Sequence, residues 1–181
     1  PQALGKVIAV WGPHGSPGRT TLAFNLAAEI SDETDKVMLV DADFSAPTVA
    51  GYLGLPMSGL GLIGAIKSAR VGEFEIEKVL HHSIIYAGVL GNFRVLTGHH
   101  AHGPWNPAEL ESLQAVLHKL RESGWLVIVD MSAELGKVAG SPHPFVGHVQ
   151  ANQVVLESAD VLVAVCHARE LGVARFCRAW P

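Results

Sequence analysis

The stretch KVIAVWGPHGSPGRTTLAFNLA (Lys6–Ala27) decides how this chain is read. Lys6–Trp11 is apolar almost throughout after its first residue, as suits a strand covered on both faces of a parallel sheet. Thr20–Ile30 carries Leu22, Leu26 and Ile30 at spacings of four, one face of a helix. Between them lies Gly12-Pro-His-Gly-Ser-Pro-Gly-Arg-Thr-Thr21. A Gly-rich turn that leaves a buried strand and opens a helix is built to hold phosphate. The first N–H groups of a helix have no intrahelical partner, and its dipole adds positive charge there. Glycine lets backbone approach the anion without a Cβ in the way.

The rest of the chain repeats the same alternation. Val37–Val40, Phe93–Leu96, Trp125–Val129 and Val161–Val165 read as further strands, and Pro107–Ser123 and His148–Ala159 as helices. Asn106 fits the N-cap of the Pro107 helix, with Pro107 at its first position, Glu109 at its third and Gly124 as its stop. Gly51–Ala65 reads as a loop leading into a short helix, and Glu170–Trp180 as a last helix. Strands alternating with helices give right-handed βαβ units in a doubly wound, mostly parallel α/β sheet.

Bulk properties narrow the choice. The 181 residues suit one domain, taken as 1–181, and 49% hydrophobic against 17% charged leaves ample material for a core. A formal net charge of -4 argues against a surface made mainly for nucleic acid, and gives no direct sign of one for membrane. Two cysteines, no membrane-length apolar run and no signal peptide point to the cytoplasm, leaving peripheral association with membrane or nucleoid open. The chain opens on Pro1, which suggests a piece of something longer.

Chemistry in the loop needs a cation at the phosphates, a hydroxyl for Mg²⁺ and carboxylates at the neighbouring strand ends. Gly18-Arg19-Thr20-Thr21 supplies the end of the loop with arginine where lysine is usual. The general pattern G-x-x-x-x-G-K-[ST] would want glycine at Pro13. Aligned to the deviant form K-G-G-x-G-K-[ST], the segment is His14-Gly15-Ser16-Pro17-Gly18-Arg19-Thr20. Asp41 and Asp43 end the second strand, and Asp130 ends the Trp125 strand, at the sheet edge where ligands bind.

On these residues, with TTLAFNLA after the loop, the Val37–Asp43 strand, RVLTG and LVIVD, the chain resembles the MinD/ParA superfamily, especially the CpaE-like ATPases of pilus assembly and partition. The resemblance implies ATP and Mg²⁺ as cofactors and a homodimer with nucleotide at its interface. It also implies protein partners in a pilus, secretion or partition system. It places phosphates on Gly15, Ser16, Pro17, Gly18, Arg19, Thr20 and Thr21, and the metal near Thr20, Asp41 and Asp130. Asp43 would orient the attacking water. His14 stands where the family's lysine crosses to the partner's nucleotide, and a neutral imidazole replaces little of that cation. Slow or absent hydrolysis is expected. The chain ends about where the family's adenine-recognising strand would begin, and Met131–Gly147 would form the second switch region.

Two other readings compete. Gly12-x-x-Gly15-x-x-Gly18 also fits atypical dinucleotide-binding dehydrogenases, although Tyr52 and Tyr86 are followed four residues on by Pro56 and Leu90, not lysine. A non-catalytic interaction module is the third. His99, His100 and His102 read as a solvated loop, and His81, His82, His143 and His148 as surface residues. Trp105, Trp125 and Trp180 read as packing groups, and Arg169 and Arg175 as a solvated face of the last helix.

Overall fold

In the computed structural model, residues 4–56, 61–71, 74–89, 91–100, 105–135 and 146–180 are described. Their strands are β1 (Lys6–Trp11), β2 (Val37–Ala42), β3 (Ile84–Gly88), β4 (Gly91–Leu96), β5 (Leu126–Met131) and β6 (Val161–Ala164). They form one sheet in the order β3-β4-β2-β5-β1-β6. Every pairing is parallel except the β3–β4 hairpin at the edge. All six residues of β2 are buried, which explains its unbroken apolar run before Asp41.

Helices cover both faces. On one side α1 (Arg19–Ser31) and α2 (Val49–Tyr52) place Ala23, Phe24, Ala27 and Val49 against Val10, Leu39, Val95 and Ile128. On the other lie α3 (Gly61–Ala69), α4 (Ile76–His82), α5 (Pro107–Glu122), α6 (Val146–Ser158) and α7 (Glu170–Ala179). There Leu62, Val79, Leu113, Leu117, Leu120 and Val155 meet Trp11, Met38 and Val40. Fully burying such a side chain stabilises the fold by roughly 1.5–3 kcal/mol. Asn106 and Glu109 close a reciprocal capping box on α5, with Pro107 in its first turn.

Strand order bears directly on the dinucleotide-binding reading. In the dinucleotide-binding and flavodoxin-like orders the first two strands are neighbours. Here β5 lies between β1 and β2, pairing Val10 with Asp130 on one side and Asp41 with Asp130 on the other. That inserted strand removes the dehydrogenase topology.

The pattern reading missed β3 and α4, and α2 and α3 bracket the expected loop and short helix. No helix among the described residues is long and apolar enough to cross a membrane.

Candidate functional site

The β1–α1 turn sits at the C-terminal edge of the sheet. Ser16 N–H donates to Pro13 O at 3.0 Å, and Gly18 caps α1 with φ 94°, a left-handed conformation that glycine adopts without strain. No side chain caps α1, and its first turn carries no acidic residue. Its leading N–H groups are therefore left for an anion, in contrast to the fully capped α5. A Cβ on Gly18 would meet nothing within 4 Å, so that side of the turn is open. Gly12 is the opposite case: a Cβ there would lie 2.3 Å from Val165 O, because the turn presses on the chain leaving β6.

Of the residues predicted for the site, the structure gathers nearly all. Thr20 Oγ1 donates to Asp130 Oδ2 at 2.6 Å. Arg19 Nη1 donates to Gly12 O at 2.8 Å, and its Nη2 lies 3.8 Å from Asp43 Oδ2. Asp43 Oδ1 accepts from the N–H groups of Ser45 and Ala46, fixing its turn. Asp41 is 1% exposed and accepts from Asp43 N–H and, at the start of α2, from Val49 N–H. Its two oxygens are thus held by backbone beside Asp130, while Asp130 is the carboxylate bonded to Thr20. Ser16 is buried in the turn, whereas Pro17 and Thr21 are exposed.

His14 is an exposed side chain whose Nε2 lies 3.2 Å from Glu134 Oε1. Glu134 escaped the sequence reading because nothing in its neighbourhood forms a motif. Its other oxygen lies 3.4 Å from Ser45 Oγ, which is 2.9 Å from His148 Nδ1. His148, read from the sequence as a surface residue, is 5% exposed, because α6 turns it inward toward the Asp43 turn. Behind Glu134, Asn152 Nδ2 donates to Ser132 O and Glu134 O, tying α6 to the chain that leaves β5. Residues 136–145 of the expected switch, with His143, and residues 101–104, with His102, lie outside the described residues. No group of three metal-ligating side chains occurs among the described residues, and His99 and His100 are exposed.

Two carboxyls next to one another out of water resist ionisation. Burial, then the charge of Asp130, pushes the Asp41 carboxyl up to about 7 against the pull of its N–H partners. Burial pushes Asp130 up to about 6, opposed first by the Thr20 hydroxyl. A divalent cation would reverse both penalties, and the hard oxygens of Thr20 and Asp130 suit Mg²⁺.

In the ligand-free chain both groups hold protons more tightly folded than unfolded, where the ordinary value is 3.8. Their ionisation therefore removes stability as pH rises through about 6 and 7, at up to about 1.4 kcal/mol per pH unit for each proton. The melting temperature should fall by several degrees between pH 5.5 and pH 8, at roughly 2–4 °C per kcal/mol. Asp41→Asn should flatten that fall; equal slopes in thermal scans of both proteins would refute the assignment.

No protein-family model matches the chain. A chromosome partitioning protein ParA of Myxococcus xanthus is 31% identical over 78 residues, which are 43% of this chain and 26% of that protein. The cell division ATPase MinD of Pyrococcus furiosus superimposes with a TM-score of 0.65 at 21% identity, covering 97% of this chain and 65% of that one. The MinC:MinD cell division complex of Aquifex aeolicus gives a TM-score of 0.69 at 18% identity, covering 97% and 62%. The chain thus spans less than two thirds of the length of each of these proteins. By that likeness of structure the chain has the MinD/ParA fold of P-loop nucleoside triphosphatases.

Proposed function

We propose that the chain binds Mg²⁺-ATP at the Gly12–Thr21 turn and uses it as a dimerisation switch in a bacterial positioning or partition system. The observation that supports this best is Thr20 Oγ1 held 2.6 Å from Asp130 Oδ2 at the mouth of an uncapped helix. A hydroxyl and a carboxylate at that place are the oxygen pair that a phosphate-bound Mg²⁺ requires. When bound, Mg²⁺ would neutralise phosphate charge.

In this reading the N–H groups of Gly15 and of Gly18–Thr21 donate to phosphate oxygens, with Thr21 nearest the α-phosphate. Arg19 exchanges its bond to Gly12 O for the terminal phosphates, where a guanidinium can donate twice. Asp43 orients the attacking water, and Asp41 supports Asp130 from behind. His14 brings no permanent charge, so hydrolysis is slow. The switch works as a cytoplasmic homodimer with nucleotide at the interface. Residues 1–181 form its nucleotide domain, CpaE-like in character, with partners in a pilus, secretion or partition apparatus.

Calorimetric titration of Mg²⁺-ATP, ADP and NADP⁺ tests the reading. ATP should bind only with Mg²⁺, and Thr20→Ala should weaken it by about tenfold or more, the equivalent of one charge-assisted contact. Arg19 is bonded to Gly12 O within the turn, and this self-contact favours the interaction-module reading. Heatless titrations with every nucleotide, together with an unchanged melting temperature, would establish that alternative.

A further inference from the structure

Arg175 is exposed on α7, as expected of a solvated helix face, yet it also reaches the phosphate turn. Its Nη1 would be 2.5 Å from a Cβ on Gly15, so the guanidinium rests against the bare Cα of the phosphate turn. Gly15 itself has φ 80°, in the left-handed region that glycine adopts without strain. Helix α7 is held for this purpose by one edge. Phe176, next to Arg175, packs 5.9 Å from Trp11, the residue just before the turn, and Trp180 lies 6.2 Å from the same ring. Gly172, Arg175, Phe176 and Ala179 share one helical face, which sets Arg175 at the rim of the docked stripe. Among the described residues the guanidinium has no ion pair and no hydrogen bond, although Glu134, Asp43 and Asp130 all belong to the same site.

We propose that Arg175 is an arginine finger supplied in cis: α7 carries its guanidinium over Gly15 onto the terminal phosphate of bound nucleotide. This rests on the nucleotide-binding reading above. The position next to Gly15 on the chain is His14, exposed and facing Glu134, so the turn carries no cation of its own on this side. Arg19 approaches from the far end of the turn, toward Asp43. Arg175 fills the vacant side with a permanent charge and up to two donors in the geometry that phosphate oxygens accept. Such a group does most where charge develops on the transferring phosphoryl, so the slow turnover that remains depends on it. Glycine at 15 is then required for clearance as well as for its backbone angle.

The test separates phosphate contact from packing by comparing ATP with ADP. Calorimetry of the full chain with Mg²⁺-ATP and with ADP is repeated for Arg175→Ala and Arg175→Gln, the latter keeping most of the aliphatic stem. Both variants should lose about tenfold or more in ATP affinity while ADP affinity stays within about twofold, with melting temperatures unchanged. Arg175→Lys should recover part of the difference. Any single-turnover ATPase rate should fall with the ATP affinity, toward the loss of about 10³ seen when an arginine finger is removed. Equal losses for ATP and ADP, or no loss for either, would overturn the proposal while leaving nucleotide binding intact. Failure of the unsubstituted chain to bind any nucleotide would overturn both readings together.

Discussion

Trp11→Ala should destabilise the chain by about 3–5 kcal/mol, the cost of deleting a large aromatic from a packed interior. Trp11 is fully buried at the end of β1, and its Nε1 donates to Ala133 O at 3.2 Å. Phe176 and Trp180 both lean on its ring. One side chain thus ties the strand before the phosphate turn to the segment after β5 and to α7. Removing it leaves a cavity that these partners fill only by moving, and an acceptor at Ala133 without its donor. The midpoint of urea unfolding should fall accordingly, with the slope little changed. A loss below about 1 kcal/mol would mean that α7 and the Ala133 segment are not packed on Trp11 as described.

Gly12→Ala should abolish nucleotide binding and cost roughly 1–3 kcal/mol, as forced overpacking does. The new methyl would sit 2.3 Å from Val165 O and 3.2 Å from Ser16 Cβ. Val165 O is backbone and has no rotamer with which to yield. Val165 N–H also donates to Trp11 O at 2.7 Å, so moving this carbonyl pulls on the pairing of β6 with β1. Gly51→Ala is the control: a Cβ there meets nothing within 4 Å, in the short helix α2, and the change should be neutral or stabilising. Retained ATP affinity in Gly12→Ala would show that the turn tolerates a different path past β6.

Sequence carried the site further than it carried the sheet. The Gly- and Pro-bearing turn between an apolar strand and a helix was legible because both flanks have strong periodicity. Asp130 was legible because it terminates such a strand. The hairpin strand β3 was missed because Ile84–Gly88 is short, exposed at alternate residues and followed by another strand without a helix between. The same holds for α4, whose seven residues are too few to display a helical period.

Register was beyond reach for a different reason. Each aspartate could be placed at a strand end, but only the β2–β5 pairing sets Asp41 opposite Asp130 and so makes their protons interdependent. His148 and Glu134 are joined to the Asp43 turn through Ser45, contacts between separate segments that no spacing announces. Arg175 is exposed as its helix pattern suggested, but its closeness to Gly15 depends on the packing of Phe176 on Trp11, far away in the chain.

Strand order also bears on synthesis. β1 precedes every other strand of this sheet in sequence, yet its hydrogen-bonding neighbours are β5 and β6: Lys6 pairs with Leu126, and Ile8 with Val161. Until residues near 131 have emerged, β1 has neither flank; β6 follows near 164, and Trp11 meets α7 only after residue 179. β2, β4 and the β3 hairpin can assemble earlier, from segments closer in the chain. The β1–α1 turn is therefore completed after the hairpin side of the sheet, although it precedes that side in sequence.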